Sequence, residues 1–174
     1  IVDLGANETT VTINGFGFAA TNVNNTVVFN NGATGNVTAS SPTQLTVTFV
    51  NRPTTAGSLT AVVTSNLVSS GEAVQVATVT PFITTTAATL PANASTMTIA
   101  GFGFSPVASN NVVTFNNGAA GLVTSATPTL LTVTFSARPA TAGDLEASVT
   151  TGGISSGAML QVATVTPVVT ASTA

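Results

Sequence analysis

The chain of 174 residues carries a net charge of −3, with charged residues at 4% and apolar residues at 44% of the total. Lys, His, Cys, Trp and Tyr are absent, and the only side-chain cations are Arg52 and Arg138. That composition removes the usual zinc, haem and copper ligands and every ordinary nucleophile–base pair, and two cations cannot neutralise a phosphate backbone.

No catalytic residue, metal or cofactor is therefore expected, and no nucleic-acid partner. No apolar run approaches the ~20 residues of a spanning helix, so no direct membrane insertion is expected either. Thr makes up about a fifth of the residues, and with Ser and Asn it stands where Lys and Glu usually do. A surface of hydroxyls and amides suits an extracellular or cell-surface chain. The sequence opens at Ile1 without a secretory leader pattern and reads as a mature or excised piece.

Taken in chain order, the elements come twice. Thr10-Val11-Thr12-Ile13 alternates and recurs as Thr96-Met97-Thr98-Ile99. Gly15-Phe16-Gly17-Phe18 recurs as Gly101-Phe102-Gly103-Phe104, 86 positions on. At the same spacing, Phe29-Asn30-Asn31-Gly32-Ala33 recurs from Phe115, Leu45-Thr46-Val47-Thr48-Phe49 from Leu131, Arg52-Pro53 from Arg138, and Gln75–Pro81 from Gln161. No gap is needed anywhere, and about half of the paired positions are identical. A fixed period of this kind marks a unit copied whole.

Period-two alternation over short segments, with Thr on one face and Val, Ile, Leu or Phe on the other, predicts half-buried strands. Thr fits the outer face because its branched Cβ suits a pleated surface while its hydroxyl meets water. Asn31-Gly32 and Asn117-Gly118 read as hairpin turns, since both residues tolerate positive φ. Ser41-Pro42, Ala56-Gly57 and Ser70-Gly71, with their copies, mark further turns. In the second copy strands are expected near 82–88, 95–100, 111–116, 120–125, 130–136, 144–150 and 159–166. About seven strands in a module just under ~100 residues predict an all-β chain of two tandem immunoglobulin-like β-sandwiches.

The boundaries follow from the repeat: module 1 over 1–80, module 2 over 81–166, and 167–174 as a linker and first strand of a following module, or a donor strand. Ile1 aligns with Ala87, so the first module is expected to lack its first strand. A window cut from a longer array explains that phase. So does a tail strand that completes the first module of another copy, head to tail.

A Thr-Val-Thr-Ile strand, then Gly-Phe-Gly-Phe, then an Asn-Val-Val-Phe-type strand closed by Asn-Gly, resembles the IPT/TIG immunoglobulin-like domain. The later Leu-Thr-Val-Thr-Phe strand follows the same order, and the resemblance covers essentially the whole chain twice. It implies a seven-stranded sandwich used as a stalk, spacer or adhesion module in large bacterial cell-surface or secreted proteins. Some members bind DNA or accompany glycan-active enzymes. This chain lacks the basic loops of the first group and the aromatic platform of the second.

Phe16, Phe18, Phe29, Phe49, Phe102, Phe104, Phe115 and Phe135 are expected in the two cores, with Gly32 and Gly118 at turns. Each buried Phe contributes about 1.5–3 kcal/mol. A phosphate-binding role for Gly-Phe-Gly-Phe is disfavoured, because such a loop opens a helix and none follows. Arg52 and Arg138 are expected to tie down loop carbonyls or a carboxylate with their five donors. Asp144 and Glu146 share a strand face, but their counterparts are Ser58 and Thr60, so a solvated face is the reading. Asn7, Asn24, Asn36 and Asn93 begin Asn-Xaa-Ser/Thr sequons.

The function expected is a structural or adhesive repeat: a stalk, spacer or filament subunit, not an enzyme, whose partners are neighbouring copies. The alternative is a module that grips glycan or a surface protein through its loops.

Overall fold

Alternating Val, Leu and Thr build strands throughout the computed structural model, which describes residues 1–172. Thr173 and Ala174, the end of the segment expected over 167–174, lie outside the described residues. By internal contacts the chain divides into two units, Ile1–Thr80 and Pro81–Ala174. The first holds β1 (Val2–Gly5), β2 (Thr10–Asn14), β3 (Asn25–Phe29), β4 (Thr34–Ser41), β5 (Gln44–Asn51), β6 (Gly57–Ser65), β7 (Val68–Ser69) and β8 (Val74–Thr80). The second holds β9 (Phe82–Ile83), β10 (Thr89–Pro91), β11 (Thr96–Phe102), β12 (Asn111–Phe115), β13 (Ala120–Thr127), β14 (Leu130–Ala137), β15 (Gly143–Thr151), β16 (Ile154–Ser155) and β17 (Leu160–Thr166). Among the described residues the only helical turns are two short 3-10 segments, Asn22–Asn24 and Ala108–Asn110.

Each unit is a sandwich of two sheets. In the second, one sheet runs β10-β17-β15-β12, with β16 folded onto β15, and the other runs β13-β14-β11-β9. In the first, β1-β8-β6-β3 with β7 repeats the former order, while the latter is reduced to β2-β5-β4. Of the strand expected over 82–88 only Phe82–Ile83 forms, and the next strand, β10, begins beyond it at Thr89. Ile83 and Phe82 pair with Gly101 and Phe102 of β11, and the chain then crosses to β17, where β10 runs parallel to it. The Thr86 amide donating to the Gln161 carbonyl and the Thr164 amide donating to the Ala88 carbonyl guide that crossing. One segment thus serves both sheets, which a continuous strand cannot do. The first unit has the second half of this element as β1, parallel to β8. Among its described residues there is no counterpart of β9.

The repeat extends to irregularities. Bulges fall at Thr34/Gly35 and Val37/Ala39 in β4, and at Ala120/Gly121 and Val123/Ser125 in β13. Glycine is required there for close approach: a β-carbon on Gly35 would stand 2.6 Å from the Thr48 carbonyl oxygen, and one on Gly121 2.7 Å from that of Thr134.

The cores are largely aliphatic. Leu45, Val47, Leu59 and Val79 are fully buried in the first unit, as are Ile83, Ile99, Leu131, Leu145 and Val165 in the second. Of the eight paired Phe, only Phe104 and Phe115 are buried. Phe18, Phe29, Phe49, Phe102 and Phe135 are half-buried, and Phe16 is 90% exposed. The expectation for Phe16 is thus corrected, and parity explains it. Val11 and Ile13 point inward, so position 16 falls on the outer face, as does Phe102. Phe29 and Phe49 form a tilted pair with centroids 5.7 Å apart, and Phe115 and Phe135 repeat it at 5.7 Å. Rings in that geometry attract beyond their burial.

Asn31-Gly32 and Asn117-Gly118 do adopt positive φ. They do not close hairpins, which corrects the expected role of Gly32 and Gly118. β3 pairs with β6 and β4 with β5, so the turn carries the chain from one sheet to the other. Two-residue hairpins lie elsewhere, at Pro42-Thr43 between β4 and β5, at Asn66-Leu67 between β6 and β7, and at their counterparts Pro128-Thr129 and Gly152-Gly153.

Candidate functional site

The two units differ at Gly-Phe-Gly-Phe, which follows β2 in the first and spans the end of β11 in the second. In the second unit this place is closed. β9 pairs with the end of β11, the Thr84 amide donates to the Ala100 carbonyl at 2.9 Å, and Ile83 and Phe104 are completely buried. In the first unit no described residue pairs with β2 on the side away from β5. Phe18 is half-buried where Phe104 is sealed. A shallow hollow opens there, lined by Phe16, Phe18, Val63, Val68 and Ser70. Gly15, at the end of β2, also lines a neighbouring depression with Phe16, Thr43 and Gln44. Among the described residues one side of β2 is thus unpaired, beside a hollow that mixes two Phe and two Val with Ser65, Ser69 and Ser70 and has no charged side chain in its lining.

A buried asparagine holds the loop behind this edge. Asn25 accepts from the Ala19 amide at 3.0 Å and donates to the Ala19 and Thr21 carbonyls at 2.8 and 3.1 Å. Asn111 repeats the arrangement on Ser105 and Val107, and also accepts from the Thr151 hydroxyl at 2.9 Å. Reading the sequence for sequons passed over these residues. The signal was their recurrence 86 positions apart at the mouth of an alternating strand.

A second asparagine clamps the opposite loops. Asn31 donates to the Thr55 carbonyl at 2.6 Å and accepts from the Thr55 amide at 3.2 Å; Asn117 does the same with Thr141 at 2.7 and 3.2 Å. Arg138 Nε donates to the Ala94 carbonyl at 3.1 Å, and Pro139 beside it is buried. Arg52 is half-buried and precedes Pro53, also buried.

The remaining polar candidates lie apart. Asp144 accepts from the Gln161 side chain at 2.9 Å, and Glu146 from Asn116 at 3.3 Å. Among the described residues no three His, Cys, Asp or Glu side chains gather as metal ligands. Asn24, Asn36 and Asn93 are exposed and Asn7 is half-buried. No helix among the described residues is long and apolar enough to cross a membrane, which leaves strand-built membrane barrels unaddressed.

Residues 81–165 match the IPT/TIG domain model. This stretch is an IPT/TIG domain. The first unit aligns with this stretch without gaps and is identical to it at about half of the positions. No curated protein matches the chain.

Among solved structures, domains 5–6 of the S-layer protein SbsC align over 97% of this chain and 94% of that one, at 17% identity and a TM-score of 0.33. A Bacteroides ovatus mixed-linkage glucan utilization locus protein, SGBP-B, solved with a mixed-linkage heptasaccharide, aligns over 96% of this chain at 15% identity and a TM-score of 0.37. This chain spans 43% of that protein. Immunoglobulin domains 1–4 of Sidekick-1 align over 95% of this chain and 48% of theirs, at 13% identity and a TM-score of 0.28.

Proposed function

We propose that the chain is a structural and adhesive repeat of an extracellular or cell-surface protein, working as a stalk or spacer without catalysis. One observation carries the reading: the same sandwich, with the same bulges and the same asparagine clamps, is built twice with no inserted loop at either copy. A binding or catalytic module diversifies its loops around a site, because loops on a rigid scaffold carry function. Here the loops are spent on holding the sheets together. The charge-poor Thr, Ser and Asn surface fits exposure outside the cell, where the module's neighbours in series are further copies of itself.

Stretching single chains between two tethers tests this. Each module of about 85 residues, once unfolded, spans up to roughly 300 Å at 3.3–3.6 Å per residue. The expected record shows two separate force peaks, each releasing most of that length. One merged event, or extension without peaks, removes the spacer reading.

A further inference from the structure

We propose that Asn14 is a site of spontaneous deamidation, which places a carboxylate on an otherwise uncharged sheet of the first unit. The step needs only water. The Gly15 amide nitrogen attacks Cγ of the Asn14 side chain and a new N–C bond forms. The bond from Cγ to Nδ2 breaks, and ammonia leaves with the proton that the Gly15 nitrogen gives up. Water then opens the cyclic imide at one carbonyl or the other, giving aspartate or its β-linked isomer.

The reaction is fastest where glycine follows the asparagine, because no side chain shields the attacking nitrogen and the backbone turns freely. Three asparagines qualify: Asn14, Asn31 and Asn117. The fold treats them differently. Asn31 donates to the Thr55 carbonyl at 2.6 Å and accepts from the Thr55 amide, the Thr55 hydroxyl and the Thr54 hydroxyl at 3.2, 3.0 and 3.1 Å. Asn117 donates to the Thr141 carbonyl at 2.7 Å and accepts from the Thr141 amide and hydroxyl at 3.2 and 2.8 Å. To turn toward its own backbone, either carboxamide must release a loop it holds from both ends. Asn14 is exposed, and its side chain is held by one surface contact, Gln44 Nε2 donating to Oδ1 at 3.0 Å.

Position 14 is exposed for a reason internal to the module. Val11 and Ile13 face the core, so Asn14 faces out. Its counterpart Ala100 is exposed as well, although β9 pairs with the residues right after it. The Gly15 amide donates to the Thr43 carbonyl at 3.0 Å, at the end of the β2–β5 ladder, where rungs open before those inside. None of β2, β4 and β5 carries a charged residue, so the new carboxylate is the first charge on that sheet. The β-linked product also inserts a backbone carbon just before Gly15, where the chain leaves the strand. Ala100 has no amide to lose, so the second unit cannot follow at this position. Of two matched copies, one changes its charge and its backbone with time.

The test is a time course of the folded 174-residue chain at mildly alkaline pH, with conversion at each asparagine located by peptide mapping and mass spectrometry. A parallel course in urea gives the rates without the fold. In urea the three Asn-Gly sites should convert at similar rates. In the folded chain Asn14 should convert roughly tenfold faster than Asn31 or Asn117, the factor that one or two further hydrogen bonds supply. Ion exchange should show a species one charge more acidic appearing at the same rate, and Asn14→Ala should abolish that species while leaving slow conversion at the clamps. Folded chain that converts at Asn31 or Asn117 as fast as at Asn14 overturns the proposal. So does an Asn14 that converts in urea and stays intact in the fold. Neither result bears on the two force peaks, so the spacer reading stands or falls separately.

Discussion

The carbonyl oxygen of Phe82 lies where a side chain on Gly101 would begin, closer than any β-carbon can stand. The contact is with backbone, so no rotamer change relieves it. Gly101→Ala must push β9 off β11 and lose the seal over Phe104. Displacing the fully buried Ile83 forfeits about 1.5–3 kcal/mol of apolar burial. At Gly15→Ala the nearest atoms belong to the half-buried Phe18 ring, which can turn. Calorimetry of dilute chain should show the second module's transition falling by several degrees in Gly101→Ala and the first module's moving much less in Gly15→Ala.

Phe16 and Phe104 belong to the same repeated motif yet should respond oppositely to truncation. Phe16 is 90% exposed and makes its surface available to solvent. Phe16→Ala should change stability by no more than about 0.5 kcal/mol, as for other surface substitutions. Phe104 is completely buried, and Phe104→Ala should cost about 3–5 kcal/mol through lost contacts and a cavity. Urea unfolding of the two variants measures both. Equal losses would mean that Phe16 is covered in solution.

Those two residues also show what was legible in the sequence. Alternation fixed the strands and their faces, because period two is imposed by the pleat itself. It did so at Val11, Ile13, Val47 and Leu59, all of them buried. Applied one residue further, the same parity puts Phe16 outside, and hydrophobicity alone misplaces it. Asn31-Gly32 announced positive φ, a local property, but not which strands it would join, because sheet pairing is decided by contacts far along the chain. The crossing of residues 84–88 from β9 to β10 was hidden for the same reason.

Asn111 carries a larger share of loop order than its size suggests. It is 4% exposed and serves the Ser105 amide and carbonyl, the Val107 carbonyl and the Thr151 hydroxyl. Asn111→Ala leaves the buried Ser105 and Thr151 groups without this partner, each costing about 1–3 kcal/mol where water cannot reach. Asn111→Asp retains the acceptor but loses both donated bonds and adds a charge. Both variants should unfold the second module at markedly lower urea, with Asn111→Asp no better than Asn111→Ala. A variant within error of the parent would show that the loop after Gly-Phe-Gly-Phe orders itself without this side chain.

Leu67 offers a change in the other direction. It sits in the two-residue hairpin between β6 and β7 at φ +68°, with its side chain 97% exposed. The side chain gains nothing by burial, while an L-residue in the left-handed region costs roughly 1–2 kcal/mol through the clash of Cβ with backbone oxygen. The second module has Gly153 at the equivalent position, at φ +86°, where no Cβ exists to clash. Leu67→Gly should therefore stabilise the first module. The extra freedom of glycine in the unfolded chain offsets part of the gain, so about 0.5–1 kcal/mol should remain. Asn66, at φ +49°, tolerates its place better, because a short polar side chain can hydrogen-bond locally there. Asn66→Gly should accordingly gain less than Leu67→Gly. Thermal melts of both variants give the order directly, and destabilisation by Leu67→Gly would mean that the exposed leucine is held by a contact absent from the isolated chain.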